Sequence, residues 1–265
     1  MEQTLVDAHV HLASEEFKDD IEQVLQASYD NGVKTVFNVT TNQEELETSF
    51  LYADKYPFMK FYHIAGGHPH DAPNTGAQHY KTYVREQVLK GRLAAIGEIG
   101  LDYGHCDSDI VEAQKRLFID YLRLALEFHL SVVVHCRNAF DDFFDLINNE
   151  YINCRHALPG MLHCFSGSIE DARKLVDRGW FVSLSGILTF KNAHSLRKTA
   201  AYIPIENLLV ETDAPFLAPG PFRGKRNEPR HLTLTAHTLA EVKKITFGDV
   251  VSQTQANALR FIAKG

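Results

Sequence analysis

The segment DAHVH at residues 7–11 places two histidines and an aspartate inside the first apolar run of the chain. On a regular β-strand, side chains alternate between faces, so Asp7, His9 and His11 would all point the same way. Burying three such groups without partners would cost several kcal/mol. Two interpretations account for them at this point: histidines hydrogen-bonded within a core, or ligands of a metal ion.

Other residues able to bind metal follow short apolar runs further along the chain. They are His68, His70, Glu98, His135, His163, Glu211 and Asp213. Histidine and carboxylate side chains are common ligands of divalent metals. If the runs before these residues are strands whose ends meet, the set favours a metal centre over separate core groups.

Eight runs rich in β-branched residues alternate with amphipathic stretches, which is the pattern of a parallel sheet with helices between its strands. The predicted strands are Thr4–His9, Val33–Val39, Phe61–Gly66, Leu93–Ile99, Ser131–His135, Gly160–Phe165, Phe181–Gly186 and Leu208–Glu211. The predicted helices are Asp19–Asn31, Glu44–Tyr56, Gln78–Lys90, Ile110–Phe128, Asp141–Asn149, Ile169–Arg178, Ala193–Tyr202, Leu232–Ile245 and Gly248–Ala263. The alternation predicts an α/β fold of the (β/α)8 or TIM-barrel type, closed by two extra C-terminal helices.

Such a barrel also predicts how the candidate ligands come together. The carboxyl ends of all its strands lie on one face, where active sites are found. The histidines and carboxylates stand at the ends of several different strands, so they should converge there, and metal binding becomes the favoured interpretation. A doubly wound open sheet is the alternative fold, but no G-x-G-x-x-G pattern follows the first strand.

Size and composition are those of an ordinary globular enzyme. The 265 residues are 45% hydrophobic and contain no linker, so residues 1–265 are predicted to form a single domain. The apolar runs are too short to span a membrane, and no signal-peptide pattern is visible. Four cysteines without C-x-x-C spacing fit reduced thiols and a cytoplasmic location, and nothing indicates an obligate protein partner.

The net charge of −7 disfavours a general nucleic-acid coat but does not exclude a nucleic-acid enzyme. Bound metal ions and one local basic patch can dominate the electrostatic field at a cleft. Arg223, Lys225, Arg226 and Arg230 form such a patch in the sequence. The alternative interpretation is that these four residues belong to an ordinary solvated loop with no role in binding.

Seven short motifs occur in an order typical of one family. They are DAHVH (7–11), GGHPH (66–70), GEIGLDY (97–103), VVHCR (133–137), LHCFSG (162–167), LLVETDAP (208–215) and RNEP (226–229). In this order they resemble the TatD family of metal-dependent deoxyribonucleases, which belong to the amidohydrolase-like barrels. The resemblance continues to NALRFI (257–262) and therefore covers nearly the whole chain.

Position by position, the resemblance implies metal ligands at His9, His11, Glu98, His135, His163 and Asp213. Two departures from the family pattern are visible. Val10 stands where a cysteine is frequent, and GHCDSD (104–109) differs from the usual aromatic–proline segment. Val10 should point away from the site, whereas the changed loop should lie on the catalytic face and affect substrate preference.

The same residues indicate a two-metal site on chemical grounds. Glu98 has two carboxylate oxygens and can bridge two cations, with the first-strand histidines and Asp213 on one side and His135 and His163 on the other. Such a pair lowers the pKa of a shared water toward ~7. Asp213 is the best candidate to orient or deprotonate that water. Imidazoles suit zinc, manganese or iron, whereas the resemblance implies magnesium or manganese, so the metal stays open.

Neighbouring residues are assigned supporting roles. Asp7 and Glu211 lie one layer deeper than the ligands and are predicted to hydrogen-bond them rather than to bind metal. His68, in preference to His70, is predicted to contact substrate or a phosphate.

Two further pairs have more than one interpretation. Cys136 and Cys164 each follow a predicted ligand by one position, so they should face the helices outside the barrel and serve packing, with metal binding as the less favoured alternative. Arg226 could reach a phosphate while Glu228 fixes its loop, with a purely structural turn as the equal alternative.

Three functions are compatible with these features. The favoured one is hydrolysis of phosphodiester bonds in DNA, from an end or on single strands. The second is an amidohydrolase acting on a small amide, ester or D-aminoacyl substrate. Many such enzymes bridge their metals with a carboxylated lysine on the fourth strand, where this chain has Glu98. The third, an inactive barrel kept as a binding scaffold, predicts lost ligands, but all six are present.

Overall fold

The computed structural model describes residues 4–74, 76–104 and 107–263. Its eight strands form one parallel sheet in which each strand pairs with the next along the chain. The strands are β1 Leu5–Val10, β2 Val33–Thr40, β3 Lys60–Ala65, β4 Ala95–Asp102, β5 Ser131–Arg137, β6 Met161–Leu162, β7 Phe181–Leu184 and β8 Leu208–Val210. The predicted TIM-barrel fold is confirmed.

Helices follow the strands in alternation. They are α1 Ile21–Asp30, α2 Gln43–Lys55, α3 Ala77–Leu89, α4 Ser108–Phe128, α5 Phe140–Ile147, α6 Ile169–Val176, α7 His194–Tyr202, α8 Leu232–Lys243 and α9 Phe247–Ile262. The last two are the predicted extra C-terminal helices. Within the described ranges, no helix combines the length and apolar character needed to cross a membrane.

Apolar side chains from all eight strands fill the interior of the barrel. They are Val6, Ala8, Phe37, Val39, Ile64, Ala95, Val133, Met161, Phe181 and Leu209. Phe261 of α9 packs against Phe37 and Phe181, and its carbonyl accepts a hydrogen bond from Ser131 at the start of β5. α9 therefore closes the amino-terminal end of the barrel. The polar side chains at the other end lie above this apolar floor and must find partners there.

The sheet closes between β8 and β1 through residues that follow β8. The N–H of Asp213 donates to the carbonyl of His9 at 2.9 Å, and the N–H of His11 donates to the carbonyl of Ala214 at 2.8 Å. The Asp7 carboxylate accepts from the N–H and the hydroxyl of Thr212, at 2.9 and 2.5 Å. Barrel closure and placement of the predicted ligands therefore depend on the same hydrogen bonds.

The ends of β4 and β6 differ from the predicted ends in ways that change the direction of side chains at the site. β4 continues to Asp102, and Gly100 (φ 139°) allows a close approach to the His135 carbonyl that any side chain would block. β6 ends at Leu162, and Cys164 just beyond it has a left-handed backbone (φ 44°). Side chains in these regions therefore do not follow the regular alternation used for prediction.

A chain of hydrogen bonds supports the loop after β1. The N–H of Leu12 donates to Asn38 Oδ1 at 2.8 Å, Asn38 Nδ2 donates to Ser49 Oγ at 2.7 Å, and this hydroxyl lies 2.8 Å from His63 Nδ1. Burial, together with the charge of Arg92, lowers the pKa of His63 to about 4. The His63 imidazole, the last group in this series of hydrogen bonds, is therefore neutral at neutral pH.

We expect the protein to lose stability relative to a His63→Gln variant as the pH falls from about 6.5 toward 4. The unfolded chain protonates His63 near pH 6.5, whereas the folded chain does so only near pH 4, so acid favours unfolding. Urea titrations of the metal-free proteins should show that the difference in unfolding free energy falls by up to about 1.4 kcal/mol per pH unit. If the difference in unfolding free energy between the two proteins did not change with pH, the assignment of a neutral His63 in the folded protein would be contradicted.

Candidate metal centre

Glu98 lies at the centre of the polar end of the barrel, with an exposed fraction of 3%. Regular alternation from Ala95, which faces the barrel interior, would turn Glu98 outward. The pairing of β4 with β5 shifts its register between Ile96 and Ile99. This irregularity in the strand turns Glu98 inward, among the histidines.

The two carboxylate oxygens of Glu98 contact different side chains. Oε1 lies 2.7 Å from His163 Nε2 and 2.9 Å from His135 Nδ1, and these two histidines are called the Oε1 set. Oε2 lies 3.3 Å from His9 Nε2 and 3.6 Å from His11 Nε2. The structure therefore divides the predicted ligands between the two oxygens.

Asp213 joins His9 and His11, and these three residues are called the Oε2 set. Asp213 Oδ1 lies 3.5 Å from His11 Nε2 and 3.8 Å from His9 Nε2. On the other side, His68 Nε2 lies 3.6 Å from Glu98 Oε1. The histidine predicted to contact substrate is thus also close enough to take part in metal binding.

The histidines stabilise the charges of both carboxylates. Burial opposes ionisation of Glu98, but His163 and His135 outweigh it and hold the Glu98 pKa well below its usual range. Burial also opposes ionisation of Asp213, and His11 nevertheless lowers the Asp213 pKa below its ordinary value. Both carboxylates are therefore ionised at neutral pH and act as acceptors.

The donor atoms fit a divalent metal ion. His9 Nε2 and His11 Nε2 are 3.1 Å apart, and so are His135 Nδ1 and His163 Nε2. A hydrogen bond uses a proton on one nitrogen of such a pair, whereas a cation takes a lone pair from both. Among the residues that the structure describes, three groups have ligand atoms within 4.8 Å of one another: His9, His11 and Asp213; His9, Glu98 and His163; and His68, Glu98 and His135.

Glu211 and Asp7 lie behind these residues. Glu211 Oε1 accepts the Cys164 N–H at 2.6 Å and lies 3.5 Å from His163 Nδ1. Asp7 bonds to Thr212 and not to a candidate ligand atom, and burial raises the Asp7 pKa to about 8. Glu211 is thus placed to orient a histidine ring, and Asp7 to fix the closure between β8 and β1.

Asp102, which the sequence patterns do not single out, connects the centre to the cavity rim. Its Oδ2 lies 3.2 Å from His135 Nε2 and 3.1 Å from His70 Nε2. Hydrogen bonding from His135 outweighs burial and lowers the Asp102 pKa well below its usual range. The residue escapes prediction because the strand that carries it was expected to end at Ile99.

The prediction that both cysteines face outward is wrong for Cys164. Its thiol lines the cavity and lies 3.3 Å from Ser185 Oγ, because the chain leaves β6 before this residue. Cys136 packs in the hydrophobic core around the barrel, as predicted, and also contributes to the cavity lining. His105 and Cys106, in the loop that departs from the family pattern, lie outside the described residues.

Arg226 is engaged within the protein. Its guanidinium donates to the Asp20 carboxylate at 2.9 and 2.6 Å, contacts Glu228 and lies over the Phe17 ring. Arg230 pairs with Glu228 at 2.9 Å. Arg226 is not among the residues that line the cavity, so the structure favours a structural turn over the predicted phosphate contact.

The candidate ligands other than the fully buried His9 line a cavity of about 780 Å³ at the carboxyl ends of the strands. This volume is within the range of small-molecule sites. His11, His68, Glu98, His135, His163 and Asp213 contribute to its lining. Ile187, Phe216 and Leu217 add apolar surface to it.

Residues 6–263 match the family described as TatD related DNase. The chain belongs to the TatD family. It is 35% identical over 256 residues to the uncharacterized metal-dependent hydrolase YabD of Bacillus subtilis, with 97% of this chain and 98% of that one covered. It is 32% identical over 259 residues, 96% of each chain, to a Shigella flexneri protein named 3'-5' ssDNA/RNA exonuclease TatD.

A solved structure agrees with this assignment. The crystal structure of YJJV, a TatD homolog from Escherichia coli, has a TM-score of 0.88 and 27% sequence identity, with 98% of each chain covered. This TatD-family chain is therefore a metal-dependent hydrolase with a TIM-barrel fold. The donors around Glu98 are its candidate metal-binding residues.

We expect an Asp102→Asn variant to bind metal about 10- to 100-fold more weakly than the wild type, because the neutral amide no longer orients the His135 ring as an anion does. Calorimetric titration of the chelated protein with Mn²⁺ measures this affinity. Asp71→Asn, a carboxylate at the cavity that bonds to Asn74, is the matched control and should keep wild-type affinity. Unchanged affinity in Asp102→Asn would limit Asp102 to a role in the fold.

Proposed function

We propose that this TatD-family protein is a two-metal deoxyribonuclease that hydrolyses phosphodiester bonds from the ends of single DNA strands. The observation that carries the proposal is the division of candidate ligands between the two oxygens of Glu98. Two neighbouring cation positions that share a carboxylate suit enzymes that cleave phosphodiesters. The name of the Shigella flexneri relative, a ssDNA/RNA exonuclease, supports the same substrate class.

In this proposal the Oε2 set would hold one ion and the Oε1 set would hold the other, and Glu98 would be a ligand available to both. When bound, the two ions would lower the pKa of a water toward ~7 and neutralise charge on the phosphodiester. Imidazole-rich sets suit zinc and manganese, and the family resemblance adds magnesium.

Asp213 is proposed to accept the proton of the attacking water. Its carboxylate is ionised and lines the cavity, and its backbone is fixed by the hydrogen bond to His9. Glu98 is engaged with both sets and is less suited to this task. His68, with a side chain 20% exposed beside Glu98, is proposed to donate an N–H to a phosphate oxygen.

The two alternatives from the sequence are less well supported. A carboxylated lysine would favour an amidohydrolase, but none of the described cavity residues is a lysine, and β4 supplies Glu98. An inactive scaffold would not need two buried ionised carboxylates surrounded by imidazoles, because such a cluster is costly unless it binds something.

The test of the proposed function uses single- and double-stranded DNA labelled at the 5′ or 3′ end, with RNA and a panel of esters and amides in parallel. The protein is stripped by a chelator and resupplied with Mg²⁺, Mn²⁺ or Zn²⁺. We expect nucleotides to be released from single-strand ends only when metal is present. Metal-dependent hydrolysis of an ester or amide without release from DNA would overturn the proposal.

We further expect His9→Ala and His163→Ala, one from each set, to lose one to two metal equivalents and to abolish hydrolysis while the barrel stays folded. Each substitution removes one imidazole ligand from its set. Elemental analysis gives the metal content, and circular dichroism reports the fold. His194→Ala, an exposed histidine on α7, is the control and should keep full metal and activity. Full metal content in both site variants would contradict the assignment.

A further inference from the structure

Phe216 is an exposed aromatic side chain at the edge of the cavity. Of the exposed large apolar side chains in the described part of the chain, it is the one that lines the cavity, and its exposed fraction is 54%. Its ring centroid lies 5.9 Å from that of His11 in the Oε2 set. An exposed ring forgoes the stabilisation that burial would give. Its position beside the candidate ligands points to a role in binding.

Two hydrogen bonds hold the peptide group that joins Pro215 to Phe216. Its N–H donates to the Asp213 carbonyl at 2.9 Å, and the carbonyl of Pro215 accepts from the Asn227 N–H at 2.9 Å. Asp213 is itself bonded to His9. The backbone at Phe216 is therefore fixed relative to the metal centre, and the ring it carries lies at the cavity where a flat ligand group can stack on it.

Charge is distributed unevenly around the cavity. Glu45 in α2 and Asp71 after β3 make one side acidic, whereas Arg137 at the end of β5 is the one Arg or Lys among the described cavity residues. The Arg137 side chain is 56% exposed, and its Nη1 lies 3.8 Å from Asp102 Oδ2. An anionic ligand is therefore favoured near Arg137 and disfavoured on the acidic side.

We infer that Phe216 stacks on the base of a terminal nucleotide and that Arg137 contacts one neighbouring phosphate. This inference rests on the proposed function and assigns the substrate contacts beyond the metal centre. A flat apolar ring close to an anion is the chemistry of a nucleotide, which matches one exposed aromatic side chain and one cation at the same cavity. Stacking requires an unpaired base, so these contacts select single-stranded ends.

The test measures equilibrium binding of a fluorescent phosphorothioate single strand, which resists cleavage, to Mn²⁺-loaded protein. The strand carries either a normal terminal base or an abasic site, placed at each end in turn. Phe216→Ala should weaken binding of the intact strand by roughly 5- to 150-fold and leave binding of the strand that is abasic at the recognised end unchanged. Phe216→Trp should restore wild-type binding. Tyr202→Ala, an exposed aromatic residue outside the cavity lining, is the matched control.

Three results would overturn the stacking role. Equal loss on intact and abasic strands would show that Phe216 only supports Asp213, and so would loss of metal from Phe216→Ala in elemental analysis. No loss on either strand would show that the ring makes no contact. The binding test does not depend on cleavage, so its result is separate from that of the nuclease assay. If binding depends on the terminal base but the protein cleaves no strand in the nuclease assay, only the proposed function is contradicted.

Arg137 is tested by the salt dependence of the same binding. Arg137→Gln should flatten the slope of log affinity against log salt by about 0.7, the value for one lost phosphate contact with a single strand. Arg223→Gln is the control, because this exposed cation lies over the Phe190 ring and outside the cavity lining. A wild-type slope in Arg137→Gln would overturn its assignment.

Discussion

The buried carboxylate of Glu98 is the constraint on which the polar end of the barrel depends. A charged group with an exposed fraction of 3% is stable only if neighbouring groups replace its hydration. The replacement comes from imidazoles on β1, on β5 and just after β6, which the barrel brings to one point. The same imidazoles therefore stabilise the buried carboxylate in the fold and supply the candidate metal ligands.

The same groups connect the site to the integrity of the barrel. The sheet closes through the bonds of Asp213 to His9 and of Asp7 to Thr212, so the ends of β8 and β1 are joined beside the candidate ligands. A cation held by His9 and Asp213 together would cross-link both sides of this closure in the folded state alone. Metal binding would then stabilise the fold as well as supply the chemistry.

The barrel could be predicted from the sequence because eight strand–helix repeats outweigh local irregularities. The direction of single side chains could not. Glu98 turns inward through a register shift in β4, and Cys164 reaches the cavity because β6 is short, both against regular alternation. Pairing over long separations is equally hidden: nothing near Arg226 in the sequence indicates that its partner is Asp20, 206 positions away.

The distribution of charge is compatible with an anionic substrate for an acidic protein. At a net charge of −7 the molecule as a whole does not attract DNA, and two of the basic residues after β8, Arg226 and Arg230, are paired with Asp20 and Glu228. In the proposed function, the electrostatic attraction for a DNA strand is therefore local and comes from metal ions near Glu98 and from Arg137. Because salt screens charges beyond about 8–10 Å, such attraction acts only on groups that enter the cavity. A strand end can place one nucleotide there without laying a long anionic chain along an acidic surface, which favours attack from an end.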